Sequence, residues 1–243
     1  DDRPYFYDVT PGVDGKLLAA LAAAAMLTVM LVAMGLHSCK PADSESDAQV
    51  FVALAAALGT GYMLIEIFLL QRLTLVLGHP ILALVVTLFG LLLATGIGAV
   101  LGQRLPLTSG RGLGLALLGC ALGVGLLPLA PGLLDQAQGW PLTGRCVASL
   151  LVVMPTGVLL GLPFPAALAQ AKDSGEGAIP WMWTVNGAAS VLGSLGAVVI
   201  AVAVGSMWIP IAGGVCYLLA CAAVIGRRRV VRTETSCAGS GSV

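Results

Sequence analysis

Charge is scarce along this sequence. Of 243 residues, 12 are Lys or Arg and 12 are Asp or Glu, so that 10% are charged and 58% are hydrophobic. A soluble domain carries about 25% charged residues, and this chain therefore has too little polar surface to cover a globule in water. The net charge of zero leaves no overall field that would attract nucleic acid. We expect a membrane protein that binds no nucleic acid.

Metal-binding and cofactor-binding patterns are also missing. The six cysteines and two histidines form no CxxC, CxxCH or mixed Cys/His cluster, which excludes the usual signatures of zinc, c-type haem and iron–sulfur sites. No glycine-rich strand–turn–helix followed by an acidic residue indicates a nucleotide-binding fold. We therefore predict no cofactor, no metal and no catalytic residue in this chain.

Long apolar runs are abundant. We count seven, with a range of six to eight for the number of membrane helices. Runs of about 20 apolar residues are typical of transmembrane helices, so the predicted fold class is all-α, a polytopic transmembrane helix bundle. Pro163 and Pro165 interrupt the fifth run, and we expect its helix to end or kink there because proline lacks a backbone donor. The runs cover residues 16–37, 49–72, 80–102, 112–131, 145–170, 181–204 and 207–226.

Two polar segments flank the bundle predicted for residues 16–226. Residues 1–15 begin with Asp-Asp and carry no signal-peptide pattern. We interpret them as the junction to an upstream domain or as a processed start. Residues 227–243 are basic at first and then rich in Ser and Gly, which is typical of a disordered tail.

Lysines and arginines indicate the orientation in the membrane. Cytoplasmic loops carry an excess of Lys and Arg. With seven crossings, the side of the C-terminus holds more of these residues than the other side, which has Arg3, Lys16, Arg72 and Arg145. We therefore expect the C-terminus in the cytoplasm and the chain in the inner membrane of a bacterium. The basic residues on the C-terminal side are Lys40, Arg104, Arg111, Lys172, Arg227, Arg228, Arg229 and Arg232.

Glycine pairs with GxxxG spacing occur in the apolar runs. Small residues four apart lie on one helix face and let two helix backbones approach closely. The pairs are either helix-packing faces or part of a glycine content, 32 residues in all, without a specific role. The three pairs are Gly98/Gly102, Gly119/Gly123 and Gly157/Gly161.

One carboxylate stands inside an apolar run, "GYMLIEIFLLQRLTLVLGHP". A charge at mid-bilayer costs at least about 2.5–3.5 kcal/mol, so we expect Glu66 to face the bundle interior, either protonated or with a partner. Tyr62 lies one turn earlier on the same face and is a suitable hydrogen-bond donor. Arg72 lies about 240° around the helix from Glu66, and we expect it to mark the helix end, where it reaches the headgroups.

Three roles are open for Glu66: a buried hydrogen bond that fixes packing, a contact to a partner subunit or substrate, and a proton relay. Asn186 and Ser190 share a polar face of the sixth run with Ser194, because the three are four residues apart. A pairing of Asn186 with Glu66 is one hypothesis for a polar pocket. His79 precedes Pro80, where we expect the third helix to start, and is a candidate contact residue or a loop residue.

Four blocks of the sequence carry a family resemblance. "DDRPYFY", "GYMLIEIFLLQRLTLVLGHP", "GLPFPAAL" and "PWMWTVNGAASVLGS" follow one another between Asp1 and about Tyr217. In this order they resemble the C-terminal membrane half of multi-spanning spermidine synthase-like proteins, a family that fuses a transporter-like membrane part to a spermidine synthase-like domain. In that family a Rossmann-like, aminopropyltransferase-like domain precedes the "DDRP" block. That domain is absent from this chain, so the resemblance implies a membrane domain without the enzyme and carries over no residue role.

The predicted function is a non-catalytic integral membrane domain or subunit that serves anchoring and assembly, with a polar pocket around Glu66. One alternative is an accessory structural subunit of a larger bacterial membrane complex. A further alternative is an amine or cation transporter, a class in which broken helices are common. The expected partners are the lipid bilayer, other membrane subunits or an upstream soluble domain, and a polyamine or another cationic ligand, which a carboxylate would attract.

Overall fold

The structure, a computed structural model, describes residues 15–38, 45–129, 131–172 and 178–239. These residues form nine α-helices and two short 3₁₀ turns, and they contain no β-strand. The helices are α1 (Gly15–Ser38), α2 (Glu45–Leu77), α3 (Pro80–Arg104), α4 (Gly110–Gly125), α5 (Pro131–Ala137), α6 (Leu142–Gly161), α7 (Pro163–Ala171), α8 (Ala178–Ala203) and α9 (Trp208–Gly239).

Six segments among the described residues are long and apolar enough to cross a membrane. They lie in α2, in α3, in α4 with the turn that follows it, in α6 together with α7, in α8 and in the first half of α9. The 24-residue helix α1 precedes them and contains a shorter apolar stretch, Leu18–Leu31. Each predicted apolar run therefore corresponds to one helix or one helix pair. The prediction of an all-α polytopic bundle of about seven membrane helices is confirmed.

Helix α2 is the centre of the bundle. Half of the residues in its most apolar stretch are buried, the largest share among the six spans. Helix α2 packs against α8, α9 and α3. Its side chains Leu54, Ile65 and Leu73 are completely buried. Because lipid tails are as apolar as leucine, burial alone does not drive such helices together. Close packing and hydrogen bonds between α2 and its neighbours must therefore hold the bundle.

Contacts between helices give their relative directions. Asn186 on α8 donates to the carbonyl of Ala55 on α2, and Thr60 on α2 donates to the carbonyl of Ala189 on α8, so residue numbers rise together and the two helices are parallel. By the same comparison of contacts, α3 is parallel to α6, and α9 is antiparallel to α2. The C-terminal ends of α2 and α8 and the N-terminal ends of α3, α6 and α9 therefore lie at one end of the bundle.

Helix α2 ends later than predicted. It continues to Leu77, five residues beyond Arg72. Gly78, with a left-handed φ of 73°, then donates its N–H to the carbonyl of Thr74 at 3.0 Å, as a glycine after the last helical turn does. Arg72 is half-buried and donates to Sδ of Met207. The prediction that Arg72 marks the helix end was wrong, because the bundle itself supplies contacts for its guanidinium.

The junction between α2 and α3 is short and is capped from a third helix. His79 is the N-cap and Pro80 the first residue of α3, which confirms the predicted start of the third helix. Arg145 of α6 donates from Nη1 to the carbonyl of Val76 at 3.2 Å. A cation therefore lies at the negative end of the α2 dipole, where it is stabilising.

Two predicted boundaries in the second half of the chain have different outcomes. The break in the fifth run is confirmed, because α6 ends at Gly161 and α7 begins at Pro163. Residues 227–239, the first part of the predicted C-terminal tail, continue α9 as helix; this segment contains Arg and Glu, which are good helix formers. The predicted N-terminal segment lies, apart from Gly15, outside the described residues, as do residues 240–243.

Helices α3 and α6 approach each other at glycine. A Cβ on Gly98 would collide with the carbonyl oxygen of Val158, and a Cβ on Gly161 would collide with the carbonyl oxygen of Thr95. Neither position has room for any side chain while the two backbones stay where they are. At these two positions, helix α6 therefore meets α3 by direct backbone contact.

The remaining glycines of the three GxxxG pairs differ in their surroundings. Gly102 and Gly157 also face atoms across the interface between α3 and α6. Gly123 faces the end of a leucine side chain, and a Cβ on Gly119 would meet no atom of another helix within 4 Å in the described part of the chain. The structure thus brings four of the six glycines to one interface and leaves the pair on α4 without a backbone contact.

Replacing glycine at the α3–α6 interface should destabilise the bundle. We expect Gly161→Ala and Gly98→Ala each to lower the free energy of unfolding by about 1–3 kcal/mol, because an overpacked site forces the backbones apart. Gly119→Ala is the matched control and should be neutral or stabilising, since alanine is the better helix former. Thermal unfolding in lipid nanodiscs measures the change in stability of each variant. Equal melting temperatures for Gly161→Ala and Gly119→Ala would contradict the close approach.

Candidate functional site

Glu66 belongs to a row of three hydrogen-bonding side chains between α2 and α3. The Tyr62 hydroxyl, one turn before Glu66 on the same face of α2, is hydrogen-bonded to the Glu66 carboxyl and also to Thr95 of α3. Thr95 Oγ1 lies 3.1 Å from the carbonyl oxygen of Leu92 in its own helix. We call these residues, Glu66, Tyr62 and Thr95, the Glu66 row.

The Glu66 row accommodates the carboxyl in either charge state. With Glu66 ionised, Tyr62 donates to the carboxylate and Thr95 donates to the Tyr62 oxygen. With Glu66 protonated, the carboxyl donates to Tyr62, Tyr62 donates to Thr95, and Thr95 donates to the Leu92 carbonyl. A hydroxyl has one proton to donate and two lone pairs to accept with, so each order uses every donor. Either order therefore gives the carboxyl a hydrogen bond to Tyr62 without moving a helix.

The Glu66 row lies at the edge of the buried centre. All three of its side chains are half-buried, whereas Ile65 on the same helix is completely buried. Leu92, one turn before Thr95 on α3, is 67% exposed. The carboxyl is therefore close to the outer surface of the bundle, where another transmembrane helix or an amphipathic ligand can reach it.

Arg72 is directed away from the Glu66 row. It is six residues after Glu66 on α2 and donates to Met207, in the turn between α8 and α9. The separation of about 9 Å along the helix axis and about 240° around it agrees with the expectation that the two residues do not share a face. Arg72 therefore joins α2 to the α8–α9 turn.

Asn186 and Ser190, on α8, lie at a different level of α2 from Glu66. Asn186 Nδ2 donates to the carbonyl of Ala55 at 3.1 Å, and Ser190 Oγ donates to the carbonyl of Asn186 at 2.8 Å. Ala55 precedes Glu66 by eleven residues, which is about 16 Å along a helix. The hypothesis that Asn186 faces Glu66 is therefore wrong. The Asn186 side chain therefore ties α8 to the N-terminal half of α2, whereas the Ser190 hydroxyl is bonded within α8.

The contact of Asn186 with α2 depends on a glycine. A Cβ on Gly59 would collide with the backbone carbonyl of Asn186, so the two helices meet backbone to backbone at this level. Thr60, the next residue of α2, donates to the carbonyl of Ala189 at 3.2 Å. The polar face predicted on the sixth run is thus used for packing against α2.

His79 and Thr95 show that the type of a single residue does not predict whether it belongs to a site. His79 is exposed at the start of α3 and its side chain makes no capping hydrogen bond. Within the described ranges, no group of three or more His, Cys, Asp or Glu residues is arranged to hold a metal ion. Thr95 was not a candidate in the sequence, because a threonine in an apolar helix has no feature that marks its partner.

Comparison with known proteins adds no relative. The chain matches no family model, and neither a curated protein nor a solved structure is significantly similar to it. The resemblance to spermidine synthase-like membrane proteins therefore stays a prediction. The helices described above place this chain in the class of all-α polytopic membrane proteins.

The bonds of the Glu66 row should contribute measurably to stability. We expect Tyr62→Phe and Thr95→Val each to lower the free energy of unfolding by about 1 kcal/mol, the usual net contribution of one hydrogen bond. Because the two side chains share a bond, the double variant should lose less than the sum of the single variants. Thr184→Val is the control, since the Thr184 hydroxyl bonds only within α8, to the Pro180 carbonyl. Strictly additive losses for Tyr62→Phe and Thr95→Val would contradict the row.

Proposed function

We propose that this chain is a non-catalytic integral membrane domain or subunit, in which Glu66 organises the bundle and its contacts with partner membrane subunits. The observation that carries this proposal is the Glu66 row. Its carboxyl is hydrogen-bonded from a neighbouring turn of α2 and, through Tyr62, to α3. A carboxyl that is hydrogen-bonded in this way joins two helices. This role requires no catalytic group next to it.

The position of Glu66 supports an assembly role. An ionisable group in a membrane helix is costly and usually faces other protein or a water-filled space. Glu66 is half-buried rather than enclosed, and the exposed residues beside it on α3 are apolar, such as Leu92 and Leu93. A transmembrane helix of another subunit that packs on this surface would complete the burial of the carboxyl and supply a second donor.

The orientation belongs to the same proposal. We place the chain in the inner membrane with the C-terminus in the cytoplasm. The end of α3 and the start of α4 carry Arg104 and Arg111, and Lys172 follows α7. These three basic residues lie at the same end of the bundle as the end of the apolar part of α9, and an excess of Lys and Arg is typical of the cytoplasmic side.

A second candidate function is the binding of an amine or another cation at Glu66. It is favoured by one observation: in the described part of the chain, the polar contact of Glu66 is with the neutral hydroxyl of Tyr62, and no cation is paired with it. A cationic ligand, such as a polyamine, would be attracted to the carboxylate at this partly dry position. In this reading the chain is the membrane half of a spermidine synthase-like protein, and its partner is an upstream soluble domain; an amine or cation transporter is the related alternative.

Two substitutions of Glu66 separate the candidates. If Glu66 organises packing, Glu66→Gln should be mild, because the amide oxygen still accepts from Tyr62. Glu66→Leu should then lower the free energy of unfolding by about 1–3 kcal/mol, because polar partners are left behind, and should reduce the recovery of the assembled complex. Ile67→Leu, at the neighbouring half-buried position, is the control. Thermal unfolding and co-purification from membranes measure both effects, and wild-type behaviour of Glu66→Leu would contradict the organising role.

The cation-binding candidate gives a different pattern for the same variants. Binding of radiolabelled spermidine to the reconstituted wild-type protein should be lost in Glu66→Gln, although that variant still folds. Binding that is unchanged in a folded Glu66→Gln variant, or no binding to the wild type, would contradict this second candidate and leave the organising role untouched.

A further inference from the structure

Two hydroxyls at the interface between α3 and α6 are buried and lack a hydrogen-bond partner in the described ranges of the chain. Thr87 and Ser149 are both 0% exposed. Neither hydroxyl oxygen has a hydrogen-bond partner within the part of the chain that the structure describes. Buried polar groups in proteins are almost always hydrogen-bonded to protein or to ordered water. We propose that Thr87 and Ser149 bind one internal water molecule that bridges α3 and α6.

The two hydroxyls lie at the same level of the interface. Each belongs to the eighth residue of its helix, counted from the starts at residues 80 and 142, and the two helices are parallel. About one turn further along, Gly90 of α3 faces Val153 of α6, because a Cβ on Gly90 would lie 2.8 Å from Cγ1 of Val153. Thr87 and Ser149 therefore form the next layer of this interface, on the side of the helix N-termini.

Both hydroxyls also depart from the pattern set by other hydroxyls in the bundle. In a helix, Ser and Thr side chains commonly donate to the carbonyl four residues earlier. Among the described residues, Thr87 and Ser149 have no such bond. The residues that do make it, at 2.7–3.0 Å, are Thr28, Thr74, Thr156, Thr184 and Ser190.

The chemistry of the site selects water over a cation. Water both donates and accepts, as hydroxyls do, and a buried water typically makes about three hydrogen bonds to groups that otherwise lack partners. The first fifteen residues of α3 and of α6 contain no carboxylate for a cation. Arg145, one turn before Ser149, directs Nη1 to the carbonyls at the end of α2 and leaves Nε buried without a partner. Its Nε–H is a further donor, on the same helix as Ser149, that has no partner within the part of the chain that the structure describes.

A high-resolution density map of the wild-type protein in nanodiscs tests the site directly. We expect one peak within about 2.5–3.0 Å of both hydroxyl oxygens, the usual range for such bonds, and its loss in Thr87→Val, which keeps the shape of the side chain. A map without this peak, with the two hydroxyls bonded to each other or to their own backbones, would overturn the proposal. A peak that gains an anomalous signal when bromide replaces chloride would also overturn it, by assigning the site to an anion.

Thermal unfolding gives a second, independent measurement. Once one hydroxyl is removed, the water loses a partner, so the second removal should cost less. The fall in melting temperature of the Thr87→Val/Ser149→Ala double variant should therefore be smaller than the sum of the two single variants. The matched pair is Thr156→Val with Ser149→Ala, which should be additive because Thr156 bonds to the Val152 carbonyl of its own helix. Additivity in both pairs would overturn the shared water. The result is independent of Glu66 and of the proposed function.

Discussion

Close approach of helix backbones at glycine is the constraint on which the rest of this structure depends. Helices in lipid gain little from burying apolar side chains against one another, so their association rests on packing and on hydrogen bonds between them. In this bundle, Gly59 of α2 lies against the carbonyl of Asn186, and Gly161 of α6 lies against the carbonyl of Thr95. Both contacts exist because no Cβ separates the backbones, and they set the distances at which polar side chains can reach a neighbouring helix.

The glycine contacts and the Glu66 row meet at one residue. The backbone of Thr95 lies against Gly161 on α6, while its side chain is hydrogen-bonded to Tyr62 on α2. Helix α6 therefore holds α3 from one side, and the hydroxyl bond joins α3 to α2 on the other. The carboxyl of Glu66 is attached to this arrangement through Tyr62, so that a helix-packing contact positions the one acidic side chain in the middle of α2. This connection is the physical basis for treating Glu66 as an organising group.

Local features of the structure could be predicted from the sequence, and distant pairings could not. Hydropathy located the helices, Pro163 located the break between α6 and α7, and the four-residue spacing of Tyr62 and Glu66 placed them on one face. The predicted partner of Asn186 was wrong because the spacing of residues along α8 does not show which residues of α2 Asn186 contacts. Thr95 and Thr87 are the same residue type in the same apolar helix, yet Thr95 bonds to Tyr62, whereas Thr87 is buried and has no hydrogen-bond partner among the described residues. Their difference arises from α2 and α6, which the sequence of α3 does not contain.

The most direct test of the organising role is the infrared spectrum of the Glu66 carboxyl in nanodiscs, assigned by its loss in Glu66→Gln. If Tyr62 and Thr95 form one row with Glu66, the carboxyl band should shift in Tyr62→Phe, because a hydrogen bond to the carboxyl is removed. It should shift by a smaller amount in Thr95→Val, where only the second bond of the row is lost. An identical band in the wild type and in both variants would contradict the account, because Glu66 would then be held by something other than this row.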